Sequence, residues 1–208
     1  MKIGIIGSGN VGGTLGTRWA RAGHEVIFSS SRPESKEVRE LAAAAGPAAR
    51  AASTAEAAGA GVLLIATPWP ATREALLSLG DLGGKVVIDA TNPLLDLDML
   101  ALGTTTSAAE QVAAWAPGAR VVKAFNTVGY QVMANPVFGD SRALLFYCGD
   151  DPAAKEAVHR LAEEIGFDPL DAGPLRMARS LEPSALLWIH LAVKGGFGLE
   201  FAFRMLRR

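Results

Sequence analysis

Gly7, Gly9 and Gly12 stand at a spacing with a definite chemistry. The first glycine permits a tight turn, the second lets backbone N–H groups approach a pyrophosphate, and the third lets a helix pack against the strand before it. The run reads Gly7-Ser8-Gly9-Asn10-Val11-Gly12. It follows the apolar run Lys2–Ile6 and opens an amphipathic stretch to Ala22. That setting of strand, turn and helix gives the motif its weight. Ser8, Gly9, Asn10 and Val11 would present the helix N-terminus, whose free N–H groups and dipole favour an anion. A glycine turn with no ligand is the competing reading.

The second apolar run, Glu25–Phe28, ends in Ser29-Ser30-Ser31-Arg32. A dinucleotide site for NAD usually carries an acidic residue here, about 20 residues beyond the glycines, to hold the ribose hydroxyls. None stands between Val26 and Pro33. Ser30, Ser31 and Arg32 suit a 2′-phosphate instead, because hydroxyls and a guanidinium bind it and a carboxylate repels it. The expected cofactor is NADP(H). Lys36 either adds to the phosphate site or faces solvent, and Arg32 has the alternative of a solvated loop charge.

Ligands of open parallel sheets bind at the carboxyl ends of the strands. Three further strand ends carry the right residues: Ala66-Thr67-Pro68, Asp89 to Asn92-Pro93, and Lys123-Ala124-Phe125-Asn126-Thr127. The expected cofactor contacts there are Ala66, Thr67, Pro68, Asn92, Pro93, Ala124, Phe125 and Asn126. Asx turns at Asp89 and Asn92, and a helix N-cap at Thr67, are the competing structural roles.

The elements that must position these residues alternate along the chain. Strands are expected at Lys2–Ile6, Glu25–Phe28, Ala48–Ala52, Val62–Ala66, Lys85–Asp89, Arg120–Ala124, Ala143–Cys148 and Pro169–Asp171. Helices are expected at Asn10–Ala22, Ser35–Ala45, Thr54–Ala58, Pro70–Leu79, Ser107–Trp115 and Pro152–Ile165. A longer helical region is expected from Ala178 to Leu206, interrupted at Gly195-Gly196. The strands are near-continuous Val, Ile, Leu and Ala, as in a sheet covered on both faces. The fold class is α/β: a Rossmann-type, doubly wound, mostly parallel sheet with a short C-terminal helical region. Residues 1–173 form the expected NADP-binding domain. Residues 174–208 form a helical region packed on it or on a partner subunit.

Composition narrows the classes. The chain has 208 residues, half of them hydrophobic, and a net charge of −1, so nucleic acid or an anionic membrane is not an expected partner. The chain opens on a strand pattern, so no signal peptide is expected. No apolar run approaches the ~20 residues that span a bilayer. The single Cys148 fits a reducing, cytoplasmic setting. One Cys and the scattered His24, His159 and His190 offer too few ligands for a structural metal site. His24 reads as structural, His159 as solvent-facing and His190 as partly buried. High alanine and arginine usage is associated with GC-rich bacterial genomes.

Several motifs then recur in a familiar order. They are the glycine fingerprint, Gly23-His24-Glu25 with the Ser-Arg tip, Thr67-Pro68-Trp69, Val121 to Thr127, Gly149-Asp150-Asp151, Leu170 to Leu175, and Ala178-Arg179-Ser180-Leu181-Glu182. Together they resemble the deazaflavin (coenzyme F-420)-dependent NADP reductases. They are also similar to the NADPH-binding domain of the transmembrane ferric reductases. The resemblance implies hydride transfer between NADPH and a deazaflavin or flavin, with coenzyme F-420, FMN and FAD as candidates for the second cofactor. It places that second ring against Phe125, Asn126, Thr127 and Val128, with Ser180, Leu181 and Glu182. Asn126 replaces a histidine of the archaeal deazaflavin enzymes and Glu182 replaces a threonine. A carboxylate at the second position is expected to disfavour an anionic deazaflavin.

No residue is expected to act as a catalytic acid or base, since hydride transfer needs stacking and distance control above all. Two alternatives stand beside this reading. One is an NADPH-dependent reductase of a small imine or carbonyl compound, with Lys123 as proton donor and Asn126 as orienter. Against it, Lys123 could equally pair with a neighbouring carboxylate. The other is an NADPH-binding regulatory protein without turnover. Leu186, Leu187, Trp188, Leu191, Phe197, Leu199, Phe201 and Phe203 form an apolar C-terminal set that predicts a homodimer.

Overall fold

The computed structural model describes residues 1–30, 32–206 and 208. An eight-stranded sheet forms its centre. The strands are β1 (Lys2–Ile6), β2 (Glu25–Ser29), β3 (Ala49–Ala52), β4 (Val62–Ile65), β5 (Val86–Asp89), β6 (Arg120–Ala124), β9 (Leu144–Gly149) and β10 (Asp168–Asp171). A separate two-stranded hairpin is made by β7 (Val137–Phe138) and β8 (Ser141–Arg142). The order across the sheet is β10-β9-β6-β5-β4-β1-β2-β3. Every neighbouring pair is parallel except β6 and β9, so the β9–β10 pair runs against the other six. The order reverses between β1 and β4, which places the crevice there.

Burial explains the strand sequences. All four residues of β4 (VLLI) and of β5 (VVID) are buried, because helices cover both faces. The edge strand β10 reads DPLD and is half-exposed. Its aspartates and proline blunt an edge that could otherwise pair with another chain. One apolar layer lies under α1 (Asn10–Arg21), α2 (Lys36–Ala45), α6 (Tyr130–Ala134) and α7 (Pro152–Glu164). The other lies under α3 (Thr54–Ala58), α4 (Trp69–Leu77), α5 (Ala108–Trp115) and the start of α8 (Ala178–Val193). Helix α1 packs very close to the sheet: a Cβ on Gly16 would stand 2.4 Å from the Phe28 ring.

Two expectations are corrected. The helical region does not run to Leu206: α8 ends at Val193 and no helix follows among the described residues. Gly196 and Gly198, at φ +77 and +73, turn the backbone out of the helical region. The tail then crosses back over its own domain. Leu144 N–H donates to the Phe203 carbonyl at 3.0 Å, and Phe201 stacks on Trp188 with centroids 5.1 Å apart. Trp188 and Phe201 thus satisfy each other within one chain, while Leu187, Phe197, Leu199 and Phe203 stay exposed. The second correction concerns His190, which is exposed and stands 3.8 Å from Asp98 rather than partly buried. The short α6 and the β7–β8 hairpin give too little periodicity to be read from sequence.

Candidate functional site

The turn from β1 into α1 is open toward solvent at its centre. Gly7 takes φ +98 and lies so near Ala66 that a Cβ there would meet its carbonyl carbon at 2.7 Å. A Cβ on Gly12 would stand 2.0 Å from the Gly7 oxygen, so close packing alone demands glycine at both positions. Gly9 is different. A Cβ there would meet nothing within 4 Å, so no protein atom requires its absence. Gly9 is the N-cap of α1 and no side chain caps the helix; the first turn carries no acidic residue. Open N–H groups beside an empty approach suit a pyrophosphate. Ser8 Oγ donates to the Ser29 carbonyl at 3.1 Å, which ties the turn to the end of β2. Asn10 is exposed there, whereas the half-buried Val11 packs on the core and leaves only its backbone for a ligand.

Two clefts flank the tip of β2. One of about 620 Å³ is lined by Ser8, Gly9, Asn10 and Thr14 on one side and Ser30, Ser35 and Glu37 on the other. The second, of about 410 Å³, is lined by Gly7, Ser30, Thr54, Thr67, Glu74 and Ser78. Ser30 borders both. Its Oγ accepts the Arg32 backbone N–H at 3.0 Å, and Arg32 itself is exposed. Ser31 lies outside the described residues. Lys36 is exposed and faces Glu40 at 3.8 Å; like Arg32, it lies outside the lining of both clefts. Sequence reasoning missed Thr14, Ser35, Glu37 and Thr54, whose places depend on how α1, α2 and α3 pack. The Glu37 carboxyl is held below the usual carboxylate range by its own backbone N–H, the Ser35 hydroxyl and the Arg32 charge.

The other strand ends meet across the crevice floor. Thr67 Oγ1 and Thr72 Oγ1 share a hydrogen bond of 2.9 Å, and the N-cap of α4 is Pro68 rather than Thr67. Asn92 Nδ2 donates to the Asn126 carbonyl at 2.9 Å, and Asn126 Nδ2 donates back to Asn92 Oδ1 at 3.1 Å. Asn126 Nδ2 also donates to the Leu181 carbonyl at 3.2 Å. Asn126 Oδ1 and Thr127 Oγ1 are buried without a hydrogen-bond partner. Pro93 and Ala124 are buried beside them. Phe125 has φ +66, the one positive value at a non-glycine among the described residues. Such strain persists only where surrounding packing fixes it. Its ring is edge-on to Trp19 and Phe167 in the core, so Phe125 offers a ligand its backbone and not its ring.

Beneath that floor lies a fully buried charge cluster. Lys123 Nζ donates to Asp89 Oδ2 at 2.9 Å and to the Thr91 carbonyl at 2.5 Å, and forms an ion pair with Glu182 Oε1 at 3.0 Å. Three oxygens from three different residues thus surround its ammonium. Burial disfavours the ammonium, yet the charges of Asp89 and Glu182 outweigh it and hold Lys123 above the ordinary lysine range. Lys123 is thus paired with neighbouring carboxylates and has no exposed surface, the competing role weighed for it beside that of a donor. Glu182 also accepts the backbone N–H groups of Ala108 and Ala109 at the start of α5. Its carboxyl is raised by burial, against the opposing pull of Lys123 and those N–H groups. Glu182 is 1% exposed and therefore spends its charge inside the protein. The sequence signal was a lysine within an otherwise apolar strand. His24 bonds the N-terminal amine and Glu164, and the half-buried His159 bonds Tyr147.

Comparison with known proteins fits this geometry. The family model described as NADP oxidoreductase, coenzyme F-420-dependent, matches residues 2–93. A solved structure from Arthrobacter sp. FB24, of a protein proposed to be an F-420-dependent NADP reductase, is 32% identical with TM-score 0.88 and full coverage of both chains. The chain belongs to the coenzyme F-420-dependent NADP oxidoreductase family. It is thereby placed among the NADP-dependent oxidoreductases. A hypothetical protein of Sinorhizobium meliloti is 30% identical with TM-score 0.75, over 84% of this chain and 85% of that one. Metalloreductase STEAP3 of Rattus norvegicus is 33% identical over 183 residues, which are 87% of this chain and 36% of that protein. The chain thus spans about a third of the length of the curated metalloreductases it matches. Among the described residues no helix is long and apolar enough to cross a membrane.

Proposed function

We propose that this chain carries hydride between NADPH and a flavin-type ring, with coenzyme F-420, FMN and FAD as the candidate acceptors. The observation that carries the reading is the floor at Asn126 and Thr127. It holds two buried unpartnered oxygens, while the nearby Lys123 ammonium is buried and held by Asp89, the Thr91 carbonyl and Glu182. A floor of that kind orients a ring and does not exchange protons with it. NADPH, when bound, supplies the hydride. Ser8, Gly9, Asn10 and the start of α1 would hold its pyrophosphate, with Ser30 and Arg32 at the 2′-phosphate. The full-length likeness to the Arthrobacter protein favours F-420, and the similarity to the metalloreductases favours a flavin with a ferric acceptor. With Glu182 turned inward, its charge no longer argues against an anionic deazaflavin.

Purified protein is mixed with NADPH and, in turn, F-420, FMN, FAD and a ferric chelate, and NADPH loss is followed by absorbance. Turnover with one of them names the acceptor. Tight NADPH binding with no turnover in any arm replaces the reductase by a non-catalytic NADPH-binding regulator. Turnover only with a cyclic imine or a small carbonyl compound would restore the small-substrate reductase.

We further propose that residues 1–173 are the cofactor domain and 174–208 a C-terminal region, helical to Val193, docked on it, in a cytoplasmic, bacterial homodimer. Leu187, Phe197 and Leu206 remain 54%, 68% and 77% exposed and would meet a second copy. A monomer mass by light scattering at micromolar concentration would remove the dimer.

A further inference from the structure

We propose that Lys123 is a positioning residue for the nicotinamide half of the site, acting through the two groups that hold the Asn126 side chain. The Asn126 amide nitrogen has two acceptors, Asn92 Oδ1 and the Leu181 carbonyl. Each sits one residue from a group that Lys123 binds. Asn92 follows Thr91, whose carbonyl takes an N–H of Lys123. Leu181 precedes Glu182, whose carboxylate pairs with the same ammonium at 3.0 Å. Asp89 completes the hold, because its Oδ1 accepts both the backbone N–H and the hydroxyl of Thr91 at 2.9 and 2.7 Å. One ammonium therefore sets the distance between the end of β5 and the start of α8. Asn126 is stretched across that distance with Oδ1 left open.

Loss of the ammonium would leave Asp89 and Glu182 facing each other as buried like charges. Their repulsion would push β5 and α8 apart, along the line that Asn126 bridges. The adenosine half of the site would not feel it, since Gly9, Ser30 and Arg32 lie on β1, α1 and the tip of β2. Lys123 thus acts on one end of the dinucleotide and leaves the other alone.

The test compares two probes on the whole protein: NADPH, and 2′,5′-ADP, which carries the adenosine half and the 2′-phosphate without nicotinamide. For Lys123→Met the expected result is a rise in the NADPH Kd of about tenfold or more, as for a misplaced contact group, with the 2′,5′-ADP Kd within about twofold of wild type. Glu182→Gln keeps the side-chain shape and one carbonyl acceptor, and is expected to move the NADPH Kd in the same direction by a smaller factor. It carries the test if Lys123→Met does not fold. Equal weakening of both probes, or no change in either, would overturn the proposal. The inference needs NADP(H) binding and not the identity of the acceptor, so its failure and that of the hydride-transfer reading are separable.

Discussion

Asn92 and Asn126 clasp each other across the crevice floor, each donating its amide to the other, side chain to backbone in one direction and side chain to side chain in the other. The pair joins the loop after β5 to the loop after β6 at the point where both leave the sheet. Asn92→Ala removes one donor and one acceptor, and leaves Asn126 Nδ2 with Leu181 alone. The expected loss is about 1–3 kcal/mol of stability, read as a lower urea midpoint. A lower kcat with whichever acceptor supports turnover should accompany it, and an unchanged kcat would show that the clasp serves only the fold.

Arg32→Ala should weaken NADPH by about 1.5–3 kcal/mol, the worth of a charge-assisted contact, or roughly 10- to 150-fold in Kd. NADH binding should stay nearly constant. An equal loss for both cofactors would mean that Arg32 does not read the 2′-phosphate.

Gly9 and Gly12 should fail in different ways. Gly12→Ala drives a methyl to 2.0 Å from the Gly7 oxygen, so stability should fall by about 3 kcal/mol or more. Gly9→Val enters open space at a position with φ −76, so the protein should fold with a stability change under about 1 kcal/mol and yet lose NADPH. Denaturation and cofactor titration on both variants separate the two roles.

Cys148 should be inert in the native state. Burial pushes its thiol up to about 12, Glu182, Asp171 and Asp89 add to the shift, and Lys123 opposes them. Thiolate is the reactive form, so a thiol reagent at pH 8 should label the protein only after unfolding. Labelling of folded protein at the rate of free cysteine would contradict this burial.

Acid stability should register the pair between Glu110 and Arg179, which bond at 2.6 and 2.9 Å. The Arg179 side chain holds the Glu110 carboxyl below its ordinary 4.5, with burial opposing. A depressed folded value stabilises the fold fully above the unfolded value and is lost as the pH falls through the folded one. Wild type should therefore exceed Glu110→Gln in stability above pH 4.5, and the gap should close below it. The effect is small because the pair lies near the surface.

The sheet was legible in the sequence because its central strands β1, β4 and β5 are nearly continuous apolar runs and the longer crossover helices carry their own periodicity. β1 and β6 lie where the pattern puts them, and the glycine turn was legible because steric demands at Gly7 and Gly12 are local. The antiparallel turn of β9 was not, since a short helix and hairpin leave no periodic trace. The tail beyond Val193 misled for a similar reason: its aromatic spacing fits a helix, and the break rests on the conformations of Gly196 and Gly198.

By itself the sequence determined the cofactor class, through Gly9 and the acid-free tip ending in Arg32, because these are properties of neighbours along the chain. Only the tertiary structure decided what Lys123, Glu182 and Asn126 do. Lys123 and Glu182 lie 59 residues apart in number and meet at 3.0 Å without solvent. A charge in an apolar strand must find partners, but sequence cannot name them, because that choice belongs to the packing of α8 against the end of β6.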